Sequence, residues 1–85
     1  MIMTKILKQN DFYNTSDLAL ATIISLYYPL EVINRQNPNK AEFVFKRDDS
    51  LDKLIESYWR GELKVEPQMY FNQLKIIKAR LYGER

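Results

Sequence analysis

The chain divides into stretches where apolar residues recur at helical spacing and stretches where they alternate as in strands. From Leu18 to Tyr28 it reads LALATIISLYY, with no charge at all. A helix that is apolar or small on every side is buried on every side. Ala19, Ala21 and Ser25 would let neighbouring elements approach it closely. Asn14-Thr15-Ser16-Asp17 reads as its start, with Asn14 or Thr15 accepting a bond from the open N–H groups of the first turn. Asp17 adds negative charge at the positive end of the helix dipole. Phe12 or Tyr13 before the cap and Leu18 inside it suit a hydrophobic staple. Pro29 ends the helix at or before Tyr28.

Two strands follow, Leu30–Asn34 and Ala41–Lys46, only partly alternating but dominated by β-branched and aromatic residues. Arg35-Gln36-Asn37-Pro38-Asn39-Lys40 between them is rich in turn residues, so the pair reads as an antiparallel hairpin. Asp48-Asp49-Ser50 caps a second helix. Its Leu51, Leu54, Ile55, Tyr58 and Trp59 read as one apolar stripe. Gly61 supplies the left-handed stop. Leu63-Lys64-Val65 is extended and suits a brief edge pairing. Pro67 opens a third helix running to about Tyr82, with Gly83 as its stop. On a helical wheel Tyr70, Leu74, Ile77 and Leu81 form a core stripe. Phe71, Lys75, Lys78 and Tyr82 lie on an adjoining stripe, and Met69, Ile76 and Arg80 on the far side. Residues 1–10 read as either an edge strand or a loose arm. The whole is a single α+β domain over residues 1–85, in the order α-β-β-α-(β)-α, with three helices covering a small antiparallel sheet.

Composition narrows the chemistry. In 85 residues there is no cysteine and no histidine, which removes disulfides and the usual zinc sites. A chain this short has a thin stability margin, and without those staples it is left with a dense core from its eleven aromatics (six Tyr, four Phe, one Trp) or with oligomerisation. Only two glycines are present, both at helix ends, so no phosphate-cradling loop exists. Asp48, Asp49 and Asp52 form the one acidic cluster. Its position at a helix start explains it better than a Mg²⁺ site does. No catalytic group, metal, cofactor or small-molecule substrate is inferred, and the chain reads as no enzyme. The N-terminus lacks a signal-peptide core, and the longest weakly polar run, Leu18–Leu30, falls short of a membrane span. With the missing cysteine this points to the cytoplasm and away from a membrane.

The net charge is only +2, but it is unevenly spread. Residues 67–85 carry +3 and residues 34–40 carry +2, against −3 elsewhere. Two functional readings follow. In the first, the third helix is a protein-contact surface through Met69, Phe71 and Ile76, binding a partner or a second copy. In the alternative, the chain is a small accessory nucleic-acid binder. Arg35, Lys40, Lys75, Lys78 and Arg80 would then meet phosphates, with Tyr82 stacking on bases. Tyr58, Trp59, Phe43 and Phe45 could also stack on bases, but each is read as core.

Several stretches resemble a family of small prokaryotic domains of unknown function. These are Asp11–Ala21 (DFYNTSDLALA), Phe43-Val44-Phe45, Tyr58–Pro67 (YWRGELKVEP), and the spacing of Leu74, Lys75, Lys78 and Leu81. The resemblance covers about residues 11–82. It implies a compact intracellular domain and carries no activity. Glu66 departs from the pattern, where Asp or Ser is the commoner cap, so a softer start to the third helix is expected.

Overall fold

The computed structural model describes residues 11–83. The expectations for residues 1–10 lie outside the described residues. Six elements follow in the order β1 (Phe12–Thr15), α1 (Leu18–Ser25), β2 (Leu30–Asn34), β3 (Glu42–Lys46), α2 (Asp49–Trp59) and α3 (Pro67–Gly83). The class is α+β, as expected, but the order is β-α-β-β-α-α. The sheet is β1-β3-β2, antiparallel throughout. The segment before the first helix is therefore a strand rather than a cap. Its residues alternate, and Tyr13 and Thr15 stand opposite Phe45 and Phe43. Asn14 and Thr15 are drawn into β1, and Asp17 becomes the N-cap of α1. The expected pairing of Leu63–Val65 is not seen; the segment has no regular structure and joins no described strand.

β3 is the centre of the sheet, and Phe43 and Phe45 project from one side of it. The core gathers on that side, with Ile33 from β2, Leu20, Ala21 and Ile24 from α1, Leu51 from α2 and Ile77 from α3. All three helices thus cover one face of the sheet. The opposite face carries Phe12, Asn14, Val32 and Lys46 around a buried Val44. The imperfect alternation of β2 has a simple cause. Leu30 pairs with Phe45 and Ile33 with Phe43, so three steps on β2 match two on β3. The shift between Leu30 and Val32 is a bulge. It returns both Leu30 and Ile33 to the core side and leaves Val32 outside.

α1 packs against both other helices. Its small residues act as expected: Ala21 is fully buried, and Ser25 Oγ accepts a bond from Gln73 Nε2 of α3 at 3.0 Å. The buried Thr22 hydroxyl donates to the Leu18 carbonyl at 2.8 Å. α2 ends in a full Schellman closure. Gly61, at φ 72°, donates to the Tyr58 carbonyl, and Glu62 donates to that of Ser57. The core stripe of α3 is as expected: Ile77 is buried, and Tyr70, Leu74 and Leu81 are half-buried. Its start is firm rather than soft, because Glu66 Oε1 accepts the Met69 N–H at 2.8 Å.

Candidate functional site

α3 is one continuous helix of 17 residues, so its wheel positions apply directly. Two apolar edges flank its buried stripe. Phe71 and Tyr82 are exposed on one edge with Lys75 and Lys78. Met69, at 57 % exposure, and Ile76, at 52 %, stand on the other. At 100° per residue the edges lie roughly 140–160° apart. Met69, Phe71 and Ile76 therefore do not form one patch. The cations divide in the same way: Lys75 and Lys78 share the Phe71 edge, while Arg80 is half-buried on the Ile76 side. On the first edge Lys75 Nζ sits 5.4 Å from the Phe71 ring centroid, a cation–π contact that covers part of that ring.

Arg35 has a structural task. Its guanidinium donates to the carbonyls of Arg80 at 3.2 Å and Leu81 at 2.8 Å. The last carbonyls of a helix have no partner within it, and the C-terminal dipole end favours a cation. The loop between β2 and β3 thus pins the end of α3. Lys40 is exposed on the same loop, after a turn in which its N–H donates to the Asn37 carbonyl. Arg35→Met is expected to cost about 1 kcal/mol. Amide exchange should quicken in the last turn of α3 and leave α1 unchanged.

The acidic cluster is accounted for. Asp48 caps α2, accepting the Leu51 N–H at 2.8 Å and the Tyr28 hydroxyl at 3.2 Å. Asp52 pairs with Arg47 through two bonds, at 2.9 and 3.3 Å. Asp49 lies in the first turn, at the positive end of the dipole. Among the described residues no group of His, Cys, Asp or Glu is placed to hold a metal.

Asp17 joins two elements. Oδ1 accepts the N–H groups of Ala19 and Leu20 at the start of α1, and Oδ2 accepts the Tyr58 hydroxyl from α2 at 3.3 Å. Burial first, and the Asp17 carboxylate second, push the Tyr58 hydroxyl above its ordinary value. Burial also pushes Tyr13 up.

Trp59 corrects the sequence reading. It is 63 % exposed and not in the core. On the helix it is the outermost member of the stripe, roughly 100° from Tyr58 and about 80° from the buried Leu51. Its ring meets that of Tyr58 edge-on at 5.0 Å. With Tyr13, Ile55, Arg47, Asp52 and Glu56 it lines a groove of about 460 Å³ between β1 and α2.

Residues 10–83 match the family model of the domain of unknown function DUF5659. The chain belongs to that family. The match spans all six elements of this DUF5659 domain and takes in the motifs quoted above. No curated protein and no solved structure matches the chain. No helix among the described residues of this DUF5659 chain is long and apolar enough to cross a membrane.

Proposed function

We propose that this DUF5659 domain is a non-catalytic protein-interaction module of the prokaryotic cytoplasm that self-associates through α3. The observation that carries this is the Met69–Ile76 edge. The two residues are seven apart, so they fall almost on one line along the helix; Gly83, seven further on, extends it without a side chain, and Ala79 lies about 70° to one side with a small one. Such spacing suits a close helix–helix seam with the same helix of a second copy. Burying two large apolar side chains per copy would stabilise it by several kcal/mol.

Light scattering and native mass measurement across a concentration series test this. The wild type is expected to dimerise. Met69→Lys with Ile76→Lys should weaken association by about 100-fold or more, with little change in folding stability, because both residues are exposed. A strict monomer at high micromolar concentration sinks the proposal.

The nucleic-acid reading draws on Phe71, Lys75, Lys78 and Tyr82. It ranks second because only two cations share that edge. Two phosphate contacts on a single strand give a salt slope of only about −1.4 in log–log form. Tight, steeply salt-dependent binding to a single-stranded probe, lost in Lys75→Glu with Lys78→Glu, would place it first.

A further inference from the structure

The exposed edge of α3 has a direction built into it. Met69 and Ile76 form one row, and Asn72 and Ala79 form a second, roughly 60° around the helix. All four residues are exposed. Their spacings are three, four and three, the same read from either end. A copy running the opposite way can therefore set Met69 against Ala79 and Ile76 against Asn72, twice over by symmetry. Each layer then holds one large and one smaller side chain, so the two helices keep one separation along the seam. A copy running the same way would set Met69 on Met69 and Ala79 on Ala79. That seam is wide at Met69 and Ile76 and narrow at Ala79.

Charge has the same direction. Lys75, Lys78 and Arg80 all lie in the second half of α3, whose sequence has no acid. Glu66 stands just before the first half. Its Oε1 accepts the Met69 N–H at 2.8 Å, which holds the carboxylate at the head of the seam. Parallel copies would stack their cationic halves, with Lys75 of one beside Arg80 of the other on the flank of the seam. In the antiparallel register Glu66 is level with Tyr82 of the second copy. It is then about 3 Å along the axis from Arg80, which lies on the same flank because the two are fourteen apart. A guanidinium has five N–H donors, so this carboxylate adds to the bonds Arg80 makes within its own chain. The helix dipoles also oppose one another in this arrangement.

Taking the self-association proposed above as given, we propose that the two copies pair through antiparallel α3 helices. Met69 packs against Ala79 of the second copy and Ile76 against Asn72, and Glu66 lies beside Arg80 across the seam.

The chain has no cysteine, so single introduced cysteines report the direction. Full-length Met69→Cys and Ala79→Cys variants are mixed and oxidised. The two positions are about 15 Å apart along one helix, beyond the reach of a disulfide, so each direction allows only its own products. The antiparallel seam predicts a mixed disulfide about tenfold or more above either homodimer disulfide. Homodimer disulfides in equal amount or in excess overturn the proposal and leave self-association standing. No disulfide above that of an exposed Lys53→Cys control on α2 also overturns it. Light scattering of the wild type then separates the cases: a monomer overturns self-association too, and a dimer moves it to another surface. Charge reversal gives a second check that folding effects do not mimic. Glu66→Lys and Arg80→Glu should each weaken association about tenfold. Mixing the two should restore it to within about threefold of wild type, because opposite charges again face across the seam. No recovery on mixing, or stronger association of Arg80→Glu alone as a parallel pairing with Lys75 would give, contradicts the register.

Discussion

Phe45→Ala is expected to remove about 3–5 kcal/mol of folding stability, the range for truncating a buried aromatic residue. A domain of this length has roughly 4–13 kcal/mol in total, so the variant should be largely or wholly unfolded at 37 °C. The reason is position. Phe45 is at 0 % exposure in the central strand, with Tyr13 on one neighbour and Leu30 on the other in register. All three helices contribute residues to the cluster that encloses it. The cavity would open where the two layers meet, and no single element can move to fill it. Phe45→Leu keeps most of the volume and should cost far less, about 1–1.5 kcal/mol. Urea unfolding followed by far-UV circular dichroism measures both. If Phe45→Ala lost less than about 1.5 kcal/mol, the core would not be centred where the structure puts it.

Asp17→Ala should be the costliest change at a partly exposed site, at about 2–3 kcal/mol. One carboxylate caps two N–H groups of α1 and accepts the Tyr58 hydroxyl of α2. Its loss opens a helix end and unties α2 from the turn after β1. Tyr58→Phe removes only the second contact and should cost about 0.5–1.5 kcal/mol. In the double variant the two losses should fall short of additive, because they share a bond. Equal losses in Asp17→Ala and Tyr58→Phe would show that the cap contributes nothing. Burial, with the same bond second at Tyr58, predicts a pH dependence. Tyr58 and Tyr13 are raised in the folded state, so the folded chain holds their protons longer than the unfolded chain. Their contribution is present in full below the ordinary tyrosine value of about 10 and is lost as pH rises through the folded values. Tyr58→Phe should flatten that alkaline decline.

The two-layer fold and the α3 core stripe were legible because both rest on local periodicity. Tyr70, Leu74, Ile77 and Leu81 announce a helix face whatever surrounds them, and Leu30–Asn34 and the strand ending at Lys46 announce a hairpin. β1 was not legible. FYNT is too short to outweigh Asn14 and Thr15 as cap residues, and it becomes a strand only because β3 offers an edge. Trp59 follows Tyr58 in sequence and looked like part of its stripe, although one residue is 100° of rotation. The pairing of Arg35 with the end of α3, of Tyr58 with Asp17 and of Gln73 with Ser25 joins residues more than forty positions apart. No local pattern encodes such partners. The candidate site was therefore read in its parts and not in its arrangement. Its exposed residues show in the sequence, but Phe71 stands across the breadth of the helix from Met69 and Ile76.

One stripe of α3 closes its own core, and on our proposal the Met69–Ile76 edge meets a second copy. Amide and methyl chemical shifts recorded across a dilution series test both halves at once. Association through that edge should give concentration-dependent shifts at Met69, Ile76, Ala79 and their neighbours, with Phe45, Leu51 and Ile77 unmoved. Shifts that stay constant at every concentration, or that move at Phe71 and Tyr82 while Met69 and Ile76 do not, would contradict it.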